Sequence, residues 1–263
     1  MNLYNSFHFI KYFLFSRHRK GHGINSPYIY DFIKNVLNNN TKDYQLKIIP
    51  KKANKLFKEL STIKHYDLSQ VAKEKKYEVK PYKHYKKISV PFKYGKILSY
   101  IIKHYSFKNI VELGTGYGIS SAYMGLFNYQ SLIYTVDASS ELLNIAKLLW
   151  SRLSIKNIVP YNEIFDSALD KILSEIEYVD FAFIDGNHSY NALLNYYQKL
   201  KTKVNNASIF VLDDIYYSKS MKKAWKEICK DQDAKLTIDL CRFGIIFFTD
   251  KLIFKQHYTV RYY

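Results

Sequence analysis

The sequence predicts an α/β protein in which a mostly parallel sheet fills roughly the C-terminal two-thirds of 263 residues. Three observations carry this. Short apolar runs alternate with helix-period segments from Asn109 onward, a glycine-rich turn follows the first of those runs, and the last two strand-like runs lie very close together. Alternation of this kind implies parallel strands with helices on both faces. The final pair leaves no room for a crossover helix and must be antiparallel.

The pattern changes near Ile88, which divides the chain into a mainly helical extension or lid, 1–87, and a ligand-binding domain, 88–263. In the extension, Ser26-Pro27 opens a helix from Tyr28 to Leu37, and Asn54–Ile63 has helical apolar spacing within a charged, tyrosine-rich stretch. The domain then reads as helix Phe92–His104, strand Asn109–Leu113, strand Leu132–Val136, helix Glu141–Trp150 and strand Asn157–Tyr161. Helix Ser167–Ser174, strand Val179–Ile184, helix Tyr190–Lys201, strand Ser208–Leu212 and helix Lys219–Cys229 follow. Strands Lys235–Leu240 and Phe243–Thr249 form the terminal antiparallel hairpin and bring the sheet to seven strands.

A hydrophobic content of 48% supplies the core of such a domain. The two cysteines, Cys229 and Cys241, make neither a metal-binding spacing nor a disulfide framework, so a reducing, cytoplasmic location is expected. Asn5, His8 and Lys11 interrupt the apolar start from Met1 to Phe15, so no signal peptide is expected. Nor does any apolar run approach the roughly 20 residues that a membrane span requires. The net charge of +17 would suit a polyanionic partner, but only five of the 40 basic residues are arginine. Phosphate-reading surfaces favour arginine's bidentate fork, and abundant Lys, Asn, Ile and Tyr fit an AT-rich genome, so nucleic acid is the disfavoured partner.

Val111-Glu112-Leu113-Gly114-Thr115-Gly116-Tyr117-Gly118 leaves a strand and opens a helix. Glycines there permit a tight turn and close approach of a ligand to the backbone. A dinucleotide fingerprint would read G-x-G-x-x-G, whereas here the third glycine arrives one residue early and Ile119 stands in its place. Asp137 ends the next strand, where a carboxylate can accept both hydroxyls of a ribose. The acidic Glu112, the G-x-G-x-G spacing and the terminal hairpin together resemble the class I S-adenosylmethionine-dependent methyltransferases, whose sheet is Rossmann-like. The resemblance implies S-adenosylmethionine as cofactor, with Glu112, Gly114, Thr115, Gly116, Tyr117, Gly118, Asp137 and Asp185 binding it.

Two further strand ends carry acids: Phe183-Ile184-Asp185-Gly186-Asn187-His188-Ser189-Tyr190 and Val211-Leu212-Asp213-Asp214-Ile215. Ligands of open α/β sheets lie beyond the carboxyl ends of strands, so three carboxylates are expected to converge there. Such a cluster repels itself unless a cation or shared protons relieve it, and oxygen ligands suit magnesium, calcium or manganese. The arrangement resembles metal-dependent O-methyltransferases, which implies Asp185, Asp213 and Asp214 as ligands of Mg2+ or another divalent cation. The alternatives are helix capping and contact with the methionine end of the donor. His188, with Asp185, is the catalytic candidate, since imidazole suits general-base work near neutral pH. The Asp-Gly-x-His-Ser-Tyr run is similar to that of methyltransferases acting on sugars and small molecules. Tyr190 and Trp225 could pack beside donor or substrate, although aromatic residues at helix positions are more often core.

Arg17-His18-Arg19-Lys20-Gly21-His22-Gly23-Ile24-Asn25-Ser26-Pro27 reads either as a lid or anion-binding segment or as a solvated basic linker. Together with Tyr94-Gly95-Lys96, Asp214–Ser218 and Ala224-Trp225-Lys226 it resembles a bacterial methyltransferase family of Bacteroidetes type, from whose glycine-rich stretch the chain departs at Asp67-Leu68-Ser69-Gln70. These resemblances imply methyl transfer to a hydroxyl of a small molecule or glycan. A nucleic-acid methyltransferase and a non-catalytic donor-binding protein are the alternatives, and a homo-oligomer is among the expected assemblies.

Overall fold

The computed structural model describes residues 10, 12–67 and 75–262. Part of the N-terminal stretch inspected for a signal peptide (residues 1–9 and 11) and Leu68-Ser69-Gln70 lie outside the described residues. The chain forms two compact units, one discontinuous (1–39 with 177–263) and one central (40–176). Eight strands make a mostly parallel sheet, and a separate pair forms a small antiparallel sheet.

In the discontinuous unit, helix α1, Pro27–Phe32, continues as a π-helical turn through Leu37. Pro27 suits the first helical position because its missing N–H has no partner to lose. The central unit follows with α2 (Asp43–Leu46), α3 (Ile48–Glu59) and a hairpin of β1 (Ile63–Asp67) and β2 (Lys75–Val79), registered Ile63 to Val79. This hairpin was not expected. The extension reads as helical from its charged and aromatic residues, and two short charged strands carry no apolar alternation to reveal them.

Helices α4 (Pro81–Ile88) and α5 (Phe92–Tyr105) lead to β3 (Asn109–Leu113), α6 (Ile119–Gly125), β4 (Leu132–Val136), α7 (Ser140–Arg152), β5 (Ile158–Tyr161) and α8 (Phe165–Glu175). β3 pairs with β4 and β4 with β5, all parallel. The ring of Tyr123 on α6 lies where a side chain at Gly95 on α5 would stand, so the glycine lets those helices close.

The discontinuous unit resumes with β6 (Phe181–Ile184), α9 (Tyr190–Lys201), β7 (Ile209–Leu212), α10 (Lys219–Ile228), β8 (Leu236–Asp239), β9 (Gly244–Phe247) and β10 (Gln256–Thr259). The unbroken apolar runs of β6 and β7 are buried along their whole length, as parallel strands covered on both faces must be. β9 runs antiparallel to both β7 and β8, and β10 lies parallel to β8 at the sheet's edge. The expected hairpin is therefore present, but the strand count is corrected from seven to eight. β10 is four residues, Gln-His-Tyr-Thr, largely half-buried, and an edge strand of that kind has no hydrophobic signature.

One acid is sealed in the central unit. Glu112 on β3 is fully buried and accepts hydrogen bonds from Ser121 on α6 and Thr135 on β4, which ties three elements together. Burial is the main cause of its pKa rising to about 7, with the nearby Asp137 charge adding to the rise and the neighbouring hydroxyls opposing it. The folded chain thus holds this proton more tightly than the unfolded chain. Its stabilising effect is complete below the ordinary value of 4.5 and is lost as pH rises through about 7. Urea unfolding across pH 4.5 to 8 should show wild type losing up to ~3 kcal/mol relative to Glu112→Gln, and equal slopes in the two proteins would refute the assignment.

Candidate functional site

In the central unit β3 hands the chain into a turn with Gly114, Gly116 and Gly118 at φ of 102°, 51° and 72°. The left-handed conformations disfavour any side chain. Gly118 is further constrained because a Cβ there would come within 2.6 Å of the Trp150 indole and 2.7 Å of Ala146. The indole N–H donates to Gly118 O at 3.0 Å and so anchors the turn to α7. A Cβ at Gly116 would meet nothing within 4 Å. Glycine is required at 118 by packing, whereas at 116 it leaves open space.

Asp137 closes β4 beside this turn and accepts from Gly116 N–H at 2.7 Å and Ser139 N–H at 2.9 Å. Ser139 in turn caps α7 by accepting from Leu142 N–H. Thr115 bonds Thr135 at 2.6 Å, and Thr135 donates to Glu112, so Glu112 supports the turn from behind and does not face solvent. Tyr117 also points inward, its ring 5.1 Å from Phe57 and its hydroxyl 3.1 Å from His84 Nδ1. Gly114, Gly116 and Asp137 form a half-buried lip, while the side chains of Thr115 and Tyr117 are buried.

In the discontinuous unit, the segment after β6 presents Asp185 and His188 ahead of α9, whose first turn is capped by Ser189 accepting from Ala192 N–H. His188 Nε2 lies 3.9 Å from Asp185 Oδ1, and its ring centroid is 5.0 Å from that of Tyr217. Both members of the His188–Asp185 pair are partly exposed. The Tyr190 ring carries the Lys223 ammonium 4.6 Å from its centroid, while Trp225 is buried against Gly244 and belongs to the core.

At the end of β7, Asp213 is 0% exposed and both its oxygens are bound by Arg242: Nε to Oδ1 at 2.7 Å and Nη2 to Oδ2 at 2.6 Å. Arg242 Nε also stands 3.7 Å from Asp214 Oδ1. Burial opposes the guanidinium charge, but the Asp213 carboxylate outweighs it and raises the Arg242 pKa. Burial and the Asp213 charge raise the pKa of Asp214, against the pull of Arg242 and His188. The tight β8–β9 turn delivers this arginine, and its carbonyl accepts from Ile215 N–H at 3.2 Å.

These residues do not fit the divalent-ion site expected from Asp185, Asp213 and Asp214. A cation ligated by Asp213 would have to displace a two-pronged ion pair and strand a half-buried guanidinium beside it. Among the described residues, no group of three or more His, Cys, Asp or Glu side chains is arranged to hold a metal. Sequence reasoning missed Arg242. Its one signal was an arginine, rare in a lysine-rich chain, placed in the turn of the hairpin.

The basic segment near the N-terminus is stitched to β10. Arg17 N–H donates to Thr259 O, and Arg261 N–H donates to Arg17 O. His18 bonds His22 O at 2.7 Å, and its ring meets Tyr258 edge-on. No helix among the described residues is long and apolar enough to cross a membrane.

Residues 111–215 match a family model described as a methyltransferase domain. The chain is similar in structure to the O-methyltransferase TomG from Streptomyces achromogenes, involved in tomaymycin synthesis and solved with S-adenosylmethionine (13% identity, 62% of this chain and 82% of that one, TM-score 0.53). It is similar to an O-methyltransferase from Bacillus cereus solved with S-adenosylhomocysteine (16% identity, 83% and 96% covered, TM-score 0.53). A Podospora anserina methyltransferase bound to S-adenosylhomocysteine is a third (11% identity, 81% and 98% covered, TM-score 0.53). No curated protein matches the chain in sequence. The chain thus matches a methyltransferase-domain model over residues 111–215 and shares the α/β fold of these O-methyltransferase structures.

Proposed function

We propose that the protein transfers a methyl group from S-adenosylmethionine to a hydroxyl of a small molecule or glycan. The observation that carries the reading is the lip formed by Gly116 and Asp137. Open space stands where a side chain at residue 116 would be, beside a carboxylate already held by two backbone N–H groups. A carboxylate at this strand end suits recognition of ribose hydroxyls, and its backbone partners fix its orientation beforehand. Gly114 and Gly116 let the donor approach the main chain, while Glu112, Thr135 and Trp150 keep the turn rigid.

When bound, S-adenosylmethionine supplies a methyl group on a positively charged sulfur that leaves as a neutral thioether. We assign the acceptor chemistry to His188 and Asp185. The His188 imidazole would take the proton of an acceptor hydroxyl, and the Asp185 carboxylate would stabilise the imidazolium that forms. Alignment and exclusion of water provide most of the acceleration, because the displacement needs no covalent help from the protein.

Calorimetric titration with S-adenosylhomocysteine tests the donor site. Wild type should bind at micromolar concentrations, and Asp137→Ala should weaken binding about 10- to 100-fold, the scale of losing charge-assisted hydrogen bonds of about 1.5 to 3 kcal/mol. Gly116→Ala should fold and lose affinity too, because its new methyl group occupies the donor's space. Absence of wild-type binding, or equal binding by both variants, would overturn the assignment.

His188→Ala is expected to bind S-adenosylhomocysteine as wild type does and to lower turnover of a hydroxylated acceptor by about 10² to 10⁴. Unchanged turnover would remove His188 from the mechanism.

A further inference from the structure

Three acidic side chains, Asp185, Asp213 and Asp214, act on Arg242 electrostatically, and all three raise its pKa. Two adjacent carboxylates at the end of one strand, one of them fully buried, need a resident positive charge. The structure assigns that charge to Arg242: we infer that its guanidinium takes the place of a divalent cation at the acid cluster, which works without metal. The inference rests on the methyltransferase reading above and concerns the acceptor side of that activity.

The geometry favours an arginine that is part of the site. Asp213 faces the planar fork with both oxygens and is turned fully inward, so its charge is spent on holding Arg242. Asp213 Oδ1 also accepts from Asp214 N–H at 2.8 Å, which fixes the next residue in a left-handed conformation at φ 51°. The Asp214 side chain is thereby brought partly into solvent, 3.7 Å from Arg242 Nε. The backbone repeats the connection through Arg242 O and Ile215 N–H. Hairpin turn and strand end are thus joined twice, by main chain and by ion pair. A lysine could not reproduce the fork, since its ammonium is a point charge without two parallel donors. Two of the five guanidinium N–H groups serve Asp213, which leaves donors beyond that pair, and the Arg242 side chain as a whole is 24% exposed.

Arg242 is on this account a positioning residue, and its removal should convert the cluster into a cation site. The test is manganese(II) titration of the full-length chain, with free ion followed by electron paramagnetic resonance, for wild type, Arg242→Ala, Arg242→Lys and the double variant Arg242→Ala with Asp214→Asn. Wild type and Arg242→Lys should take up no manganese at submillimolar concentrations. Arg242→Ala should bind about one ion per chain at least tenfold more tightly than wild type, and the double variant should lose it again. A loss of structure in Arg242→Ala would leave wild type and Arg242→Lys to decide the question through the same titration. Stoichiometric uptake by wild type would overturn the inference, as would a folded Arg242→Ala that takes up none. S-adenosylhomocysteine calorimetry on the same samples, with and without chelator, keeps the two readings separable. Wild-type donor binding unaffected by chelator is expected, and its absence would count against the methyltransferase reading, with the manganese result still deciding the role of Arg242.

Discussion

Carboxylates placed among buried strands must each be given a partner, and this protein meets that constraint in three different ways. Glu112 is answered by hydroxyls alone, which do not fully offset its burial, so the group rises toward neutrality and serves as a cross-tie between β3, β4 and α6. Asp137 is held by two main-chain N–H groups, which orient it beside the glycine turn. Asp213 is answered by a full guanidinium, which uses both of its oxygens. Internal strut, ligand-facing acceptor and counter-ion are thus the same chemical group separated by what surrounds it.

The same contrast explains how much could be read beforehand. The alternation after Asn109 has a strong physical cause, since strands covered on both faces must be apolar throughout and the helices between them must be amphipathic; β3 and α9 accordingly keep the bounds expected for them. The glycine turn was legible because left-handed backbone excludes nearly every other residue. What escaped were features whose causes are not periodic. β1, β2 and β10 are held by main-chain pairing with little apolar patterning, so nothing in their residues separates them from loop.

At the acid cluster the residue types were legible and their partners were not. Asp185, Asp213 and Asp214 announce negative charge at strand ends, and a metal is one general answer to that. The answer found in the fold lies some 29 residues away in a turn, and sequence spacing contains no trace of the contact. Tyr117 makes the parallel point for the glycine turn. It sits in the middle of the motif, yet its ring belongs to a cluster with Phe57, Tyr85 and His84, so membership in a motif identifies the backbone more surely than the side chain.

The discontinuous unit draws on both ends of the chain. Tyr12 donates its hydroxyl hydrogen to Val260 O and accepts from Tyr262 N–H, and Arg17 bridges Val260, so the first described residues are fastened to the last. During synthesis, residues 12–17 leave the ribosome with their partners still untranslated, whereas the central unit has every one of its strands in hand before Phe181 is made. Residues 12–17 must therefore wait without these partners until Val260 and Tyr262 have been made.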